Sequence, residues 1–375
     1  MDLLKIRREF HTYPETSGNE IKTARALVKF LESTHPDTLH TDLGGNGVAA
    51  VYSGPNPGPR VVFRCDMDAL PIHEDLNVAH KSKNSGASHK CGHDGHMTIM
   101  LGVALALKKN RSAHGEILLL FQPAEETGEG AQLVVQDSRY QDFEPDWVFA
   151  MHNLPGYPLG QLVVREGCFA SASRGLIIRL EGKTSHAAEP EKGNSPALAL
   201  AELMNRFTFL PQNSDLTFRE KVTATVIHCQ MGEIAFGTTP GQAVIMVTLR
   251  THDNSNIEQL AQYSENLAIN CAKSFQLKCE IEWTEQFPAC INNSAANQFL
   301  AEIASENNLP IQHKADPFGW SEDFGHFLTH TPGAIFGMGA GLDCASLHHP
   351  AYDYPDELTP LAVRVWTQLA YKITG

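Results

Sequence analysis

The stretch RVVFRCD at residues 60–66 is the first of three short runs in which apolar residues follow one another almost without interruption. EILLLFQP at 116–123 and DWVFAMHN at 146–153 are the other two, and turn residues flank each run. Unbroken apolarity of this length is typical of strands buried on both faces of a sheet that helices cover. An apolar helical segment at 97–109 separates the first two runs. This alternation predicts an α/β fold with a mainly parallel central sheet flanked by helices.

The middle of the chain has a different order of predicted elements. In chain order these are GLIIRLEG (175–182), the helical SPALALAELMNRF (195–207), KVTATVIHC (221–229), AVIMVTLRT (243–251), the helical SNIEQLAQYSENLAINCAKSF (255–275) and LKCEIEW (277–283). The resulting order, β-α-β-β-α-β, is that of a ferredoxin-like sandwich. Because 375 residues exceed what one core usually holds, we predict one domain of residues 1–172 and 289–375. An inserted α+β domain would span 173–288.

Composition and charge narrow the range of partners. With 29 Lys and Arg against 43 Asp and Glu, the formal net charge is −14, which argues against nucleic acid or an anionic membrane as a partner. The longest nearly apolar run, residues 97–107, is too short to cross a bilayer. The N-terminal stretch MDLLKIRREF lacks the apolar core of a secretory signal. Eight cysteines without paired spacing favour reduced thiols, so we expect a cytoplasmic protein.

HKCGHDGH at residues 89–96 places one thiol and three imidazoles within eight positions. Further polar groups follow the predicted buried strands, where ligands of α/β sheets bind: Asp66, Asp68, Glu125, Glu126, His152, His348 and His349. Each has an ordinary structural explanation, since an acidic pair often caps a helix and a lone cysteine is usually a small buried hydrophobe. Their convergence from five separate segments nevertheless predicts a site for divalent cations.

A site for two divalent cations needs a ligand that both ions share. A thiolate can bridge two ions, whereas one imidazole nitrogen cannot, so Cys91 is the predicted bridge and His93 reaches one ion from the same turn. Of the adjacent Glu125 and Glu126, one is expected to ligate while the other stays free as a general base. Residue type alone leaves open which of the two ligates.

Other polar residues near these stretches are expected to have no direct chemical role. Asp94 and His96 should support the loop rather than bind an ion. The histidines expected at the surface are His73, His80 and His114.

Seven stretches resemble successive motifs of the dimetal amidohydrolases and carboxypeptidases: FRCDMDALPI (63–72), HKCGHDGHM (89–97), FQPAEETGEGA (121–131), MHNLPG (151–156), GKTSHAAEP (182–190), WSEDF (320–324) and LHHPAYDYPDE (347–357). Within that family the chain resembles the branch of hippurate hydrolase, N-acyl-amino-acid amidohydrolases, N-acetyldiaminopimelate deacetylase and auxin-conjugate hydrolases. The resemblance implies metal-dependent hydrolysis of the amide bond of N-acyl (acetyl or aroyl) amino acids or similar small amides. It also implies that the inserted domain is a lid through which a homodimer forms.

The resemblance implies a ligand for each metal position. Cys91 would bridge the two ions. His93 and His152 would complete one ion's shell, and Glu126 with His348 the other's. The family pattern Leu-His-x-Pro selects His348. The donor set suits zinc or manganese, and cobalt or nickel would also be held.

Four further residues receive roles from the resemblance. Glu125 would be the general base, and Asp68 would orient a ligand histidine from behind. His186, often contributed by the partner subunit, would stabilise the tetrahedral oxyanion. Arg250 would hold the substrate carboxylate with its two-pronged guanidinium.

Other functions are compatible with parts of this pattern. An aminopeptidase or dipeptidase would use the same scaffold, and the acyl and amine groups stay open because Gly237 and Trp320 differ from the residues usual in relatives. A hydrolase with Cys91 as nucleophile would leave Glu126, His152 and His348 without a role. A binding module with structural metals would have closed four-ligand sites, which a free Glu125 argues against.

Overall fold

The computed structural model describes residues 2–212 and 221–375, which form two compact units. Unit 1 comprises Met1–Phe169, Cys290–Pro317 and Glu322–Gly375, and unit 2 comprises Ala170–Ala289 and Phe318–Ser321. The predicted domain boundaries and the catalytic and lid roles stay predictions.

The elements are numbered along the chain. The helices are α1 (Leu3–Thr12), α2 (Ile21–Glu32), α3 (His93–Lys109), α4 (Gly130–Gln136), α5 (Ser138–Phe143), α6 (Ala197–Thr208), α7 (Asn254–Ser274), α8 (Ser294–Glu306), α9 (Gly325–Leu328) and α10 (Leu358–Thr374). The strands are β1 (Thr38–Leu43), β2 (Gly47–Ser53), β3 (Asn56–Asp66), β4 (His114–Gln122), β5 (Trp147–Pro155), β6 (Leu162–Val164), β7 (Gly167–Ala170), β8 (Ala172–Glu181), β9 (Ser185–His186), β10 (Thr223–Met231), β11 (Thr238–Thr239), β12 (Gln242–Thr251), β13 (Lys278–Phe287), β14 (Cys290–Asn292), β15 (Ile311–His313) and β16 (Gly333–Gly341).

Unit 1 is built on an eight-stranded sheet with the order β1-β2-β4-β3-β5-β16-β6-β15. The central pairs β4/β3, β3/β5 and β5/β16 are parallel, and so is β6/β15. Antiparallel pairs lie on either side of this centre. Trp366 of α10 packs on the sheet, with ring centroids 4.6 Å from Phe63 and 5.2 Å from Phe336. The predicted α/β class with helices on a mainly parallel sheet is confirmed.

Helix α3 begins at His93 rather than at residue 97, where its apolar pattern begins. Gly92 adopts a left-handed φ of 95° and forms the N-terminal cap. The polar residues of the first turn are buried, so they face partners inside unit 1 instead of solvent. The earlier start places His93 on the rigid first turn of a buried helix.

Unit 2 contains a four-stranded antiparallel sheet with the order β10-β12-β8-β13, together with α6 and α7. Along β12, fully buried residues alternate with less buried ones, which shows that only one face of the sheet is covered. Apart from the short β9/β11 pair, the order of elements is β8-α6-β10-β12-α7-β13, which is the predicted β-α-β-β-α-β. In the described parts of the chain, no helix combines the length and apolarity that crossing a bilayer would need.

Candidate metal centre

Five of the predicted ligands come together in unit 1, in two groups that share one residue. The ligand atoms of Cys91, His93 and His152 lie within 4.8 Å of one another, and so do those of Cys91, Glu126 and His348. Between Cys91 Sγ and His152 Nε2 the distance is 3.4 Å. His93 belongs to two further groups, one with Glu125 and Glu126 and one with Asp66 and His96. Cys91 is the residue shared by the two groups that hold the five predicted ligands, as a ligand that bridges two ions must be.

The turn that carries Cys91 and His93 depends on the glycine between them. At Gly92, with its φ of 95°, a Cβ atom would lie 2.7 Å from Asn153 Oδ1 and 2.8 Å from the Tyr352 hydroxyl. A side chain at this position would therefore meet both backbone strain and two buried polar groups. The tight turn lets residues two positions apart face the same point.

Hydrogen bonds from Nδ1 orient the rings of His93 and His152. Nδ1 of His93 donates to the Asp68 carbonyl at 2.9 Å, and Nδ1 of His152 donates to the Asn153 carbonyl at 2.8 Å. Each bond places a proton on Nδ1, so Nε2 is the nitrogen that faces the other donors. His93 Nε2 is buried and has no hydrogen-bond partner among the described residues. Burial lowers the pKa of His152 to about 3, so its ring stays neutral, as a ligand requires.

The two adjacent glutamates converge on the same place. Two residues after the end of β4, Ala124 adopts a left-handed φ of 50°, which turns the backbone sharply. Glu125 Oε2 and Glu126 Oε1 consequently lie 4.0 and 3.8 Å from His93 Nε2. Asp68 Oδ2 accepts the Glu126 backbone N–H at 3.0 Å. Oε1 of Glu126 is buried and has no hydrogen-bond partner in the described residues, which is compatible with a metal ligand.

Acidic groups dominate the electrostatics of the cluster. Burial raises the pKa of Glu126 to about 8, and burial together with the charges of Glu322 and Glu126 raises the pKa of Glu125 well above its usual value. Burial and the nearby glutamates raise the pKa of the Cys91 thiol. Burial lowers the pKa of His93, yet the neighbouring carboxylates outweigh it and raise that pKa to about 10. The cluster holds more acidic groups than protein cations can neutralise, and its thiol, imidazole and carboxylate donors suit divalent ions.

Comparison with known proteins places the chain in a family. Residues 62–372 match the model of peptidase family M20/M25/M40. The chain belongs to this family. The resemblance to dimetal amidohydrolases and carboxypeptidases is thereby confirmed.

The relatives of this M20 chain include deacetylases of N-acetylated amino acids. An N-acetyl-L-cysteine deacetylase of Bacillus subtilis (strain 168) is 33% identical over 358 residues, which cover 93% of this chain and 83% of that protein. An N-acetyldiaminopimelate deacetylase of Listeria innocua is 30% identical over 369 residues, 97% of each chain.

Solved structures share the fold over nearly the whole of this chain. A Bacillus subtilis dinuclear metal-binding peptidase of the M20 family superposes with a TM-score of 0.82 at 26% identity, covering 99% of this chain and 97% of that one. An aminobenzoyl-glutamate utilization protein of Klebsiella pneumoniae, 21% identical, shares the fold with a TM-score of 0.76, over 99% and 95% of the two chains.

A buried arginine supports the M20 site, and the sequence interpretation missed it. The Arg64 guanidinium lies 2.9 Å from Asp66, 2.9 Å from Glu322 and 2.7 Å from Asp323. Asp66 Oδ1 also lies 2.6 Å from Nδ1 of His96, so His96 supports the loop as expected. The missed signal was a charge inside the apolar run RVVFRCD, because a charge in a strand buried on both faces requires partners.

A second buried network joins α1 to the turn that carries Cys91 and His93, and the sequence interpretation did not predict it. Asp94 Oδ2 lies 3.1 Å from Arg7 Nη1 and 2.8 Å from His11 Nδ1. His11 Nε2 lies 2.8 Å from Glu74 Oε1, which is 2.6 Å from Lys90 Nζ. Asp94 thus supports the loop, as predicted, while its basic partners lie far away in sequence.

The expectation that His80 is a surface residue is wrong. Its ring is only partly exposed, and Nε2 lies 2.9 Å from Asp353 Oδ2 and 3.2 Å from Arg7 Nη2. Asp353 is remote from His80 in the sequence, so the residues around His80 do not indicate that its ring is partly buried. His73 and His114 are exposed, as expected.

The predicted oxyanion and substrate residues lie in unit 2, whereas the ligand groups lie in unit 1. His186 is exposed on β9, which pairs with β11, and its Nδ1 accepts the Ala188 N–H at 3.1 Å. Arg250 on β12 donates to Ser321 Oγ at 2.6 Å and to the Gly319 carbonyl at 3.3 Å. Their roles stay predictions.

Proposed function

We propose that this M20 chain hydrolyses the amide bond of N-acyl (acetyl or aroyl) amino acids or similar small amides, using two divalent cations. The observation that carries the proposal is that Cys91 belongs to both groups of predicted ligands, with the buried Glu125 carboxylate 4.0 Å from His93 Nε2. The deacetylase relatives support the substrate class, and the dinuclear M20 structure supports two ions. Zinc or manganese suits the donors best, with cobalt or nickel also acceptable.

Glu125 is the general base in this proposal. The cations, when bound, would supply Lewis acidity that makes water more acidic and polarises the amide carbonyl. Glu125 takes a proton from water while the water oxygen attacks the carbonyl carbon of the amide. Glu125 then gives that proton to the amide nitrogen as the C–N bond breaks. The products are a carboxylic acid and a free amine. Burial, with nearby acidic charge, raises the pKa of Glu125, which suits a group that holds a proton between the two steps.

Two residues of unit 2 are proposed to act on the substrate. His186 stabilises the oxyanion of the tetrahedral state, and its exposed ring supports this role. Arg250 holds the substrate carboxylate. Its guanidinium already donates to Ser321 and Gly319 through one nitrogen, which fixes its direction and leaves other N–H groups for an anion.

A cysteine-nucleophile mechanism is disfavoured by the surroundings of Cys91. A nucleophilic thiol needs a lowered pKa and positive neighbours. Burial and the charges of Glu126 and Glu125 instead raise the pKa of Cys91. We also propose a cytoplasmic location, which suits eight cysteines that are all free thiols.

Unit 2 is proposed to be the lid through which two copies form a homodimer. Exposed apolar residues lie on and beside α6 and on β10, which is an edge strand of its sheet. Leu198 is 69% exposed, Phe209 59% and Ile227 61%. An apolar edge strand is costly in a monomer and pairs readily with a second copy. Sedimentation should give a dimer for the wild type and a monomer for Ile227→Lys.

The proposal is tested by metal analysis followed by hydrolysis assays on N-acetyl, N-benzoyl and free dipeptide substrates. We expect two divalent ions per chain and turnover of N-acyl substrates that a chelator abolishes and divalent ions restore. Glu125→Gln should keep both ions and lose turnover. The control Glu129→Gln, at an exposed glutamate just before α4, should keep both ions and full turnover. Chelator-resistant activity would overturn the proposal. Turnover of free dipeptides alone would favour the peptidase alternative.

A further inference from the structure

Lys90, the residue before Cys91, is buried and makes two bonds through its side chain. Its Nζ donates to Glu74 Oε1 at 2.6 Å and to the Tyr352 carbonyl at 2.7 Å. The carbonyl ends the segment 348–352, which we name the His348 loop. The Lys90 side chain therefore holds the far end of the loop that carries a predicted ligand.

The backbone of Lys90 holds the near end of the same loop. Its carbonyl accepts the His348 N–H at 2.8 Å. His348 adopts a left-handed φ of 64°, which is uncommon for a residue with a side chain and persists only where surrounding bonds enforce it. The imidazole is half exposed, so packing alone does not fix its direction. The bond to Lys90 supplies that constraint.

We propose that Lys90 is a positioning residue for His348, holding the His348 loop at both ends and fixing it relative to Cys91. The inference rests on the proposed two-cation function. Because Cys91 follows Lys90 directly, one residue sets the relative place of two ligands in the group of Cys91, Glu126 and His348. The other group has its own supports, since carbonyls that do not involve Lys90 orient its histidines.

The geometry allows a clean substitution. Without the Lys90 amine, Glu74 keeps His11 Nε2 at 2.8 Å and the Ser82 N–H at 2.6 Å, so its carboxylate is not left unpaired. Lys90→Met removes the amine but keeps a four-atom apolar stem and the backbone carbonyl. The group that loses its side-chain donor is the Tyr352 carbonyl, at the end of the His348 loop.

The first measurement is hydrogen exchange of the metal-free protein. Lys90→Met should speed exchange in the His348 loop about tenfold, the effect of losing one buried hydrogen bond to a charged donor. Lys90→Gln, which keeps a neutral donor, should show a smaller increase. The matched control is Tyr52→Phe, which removes a buried 2.6 Å bond to Thr34 and should leave exchange in the loop unchanged.

The second measurement is a zinc titration of the same variants. Lys90→Met should lower the affinity for the second ion about 10- to 100-fold, as the loss of a residue that supports a metal ligand typically does. The affinity for the first ion should stay within about twofold of the wild-type value. Unchanged loop exchange in Lys90→Met, or an equal increase throughout the chain, would overturn the proposal. If Lys90→Met fails to fold, Lys90→Gln decides by the same criteria. A wild type that binds fewer than two ions would refute the two-cation function, while the exchange result would still decide the role of Lys90.

Discussion

Cys91 Sγ and His152 Nε2 lie 3.4 Å apart, and both side chains are buried. Bond lengths of about 2.3 and 2.0 Å at a tetrahedral angle place a sulfur and a nitrogen on one zinc ion roughly 3.5 Å apart. The observed separation therefore already matches two donors to one ion. The side chains are held there by the Gly92 turn and by the bond from His152 Nδ1 to the Asn153 carbonyl.

Replacing Cys91 should affect both ions, because it belongs to both ligand groups. We expect Cys91→Ser to retain at most one ion per chain in elemental analysis. Turnover should fall at least about 100-fold, the upper end of what losing an outer-shell partner costs. Cys229→Ser, at an exposed thiol, is the control and should keep two ions. Two ions bound by Cys91→Ser with unchanged affinity would refute a bridging role.

Asp68 should influence metal affinity without being a ligand. Its Oδ2 accepts the Glu126 N–H at 3.0 Å and the Ser17 hydroxyl at 2.7 Å. Asp68→Asn removes the charge that fixes Glu126, so affinity in a chelator competition assay should fall about 10- to 100-fold. Ser17→Ala, which removes one neutral bond, should have a smaller effect. Equal affinities for Asp68→Asn and the wild type would contradict this role.

Arg64 should be essential for the stability of unit 1. Arg64→Met would leave the carboxylates of Asp66, Glu322 and Asp323 buried without their shared cation. Breaking a buried ion pair by removing one partner costs about 3–5 kcal/mol, which urea unfolding of the metal-free protein should show. Arg179→Met breaks an ion pair with Glu282 whose side chains are more than half exposed, and should cost less than about 1 kcal/mol. Similar losses in both variants would be inconsistent with this account.

His11 should make stability depend on pH. Burial lowers its pKa, but hydrogen bonds to Asp94 and Glu74 outweigh burial and raise it from 6.5 to about 9. The imidazolium then stabilises the fold fully below pH 6.5, and this contribution disappears as pH rises through about 9. Wild type should exceed His11→Asn in unfolding free energy by on the order of 3 kcal/mol at pH 6 and by much less at pH 10. A difference that stays constant between these pH values would show that His11 is not charged in the fold.

The element order was readable from the sequence because its signals are local. Apolar runs predicted β3, β4 and β5, and the helical periodicity predicted α6 and α7 close to their observed bounds. Helix α3 begins four residues before the predicted apolar segment, because the polar residues of its first turn are buried and continue the helix. Burial of polar residues depends on partners that the local sequence does not name.

The fold class and the kinds of metal donor can be read from the sequence, because strand and helix periodicity and side-chain chemistry belong to each stretch separately. Which of these groups meet depends on how the chain folds in three dimensions. Arg64 pairs with Asp323, 259 positions later, and Lys90 reaches Tyr352, 262 positions later. Such contacts are set by the pairing of remote strands and by left-handed turns such as that at His348. Their energy comes from neutralising buried charge, which no single stretch of sequence reveals.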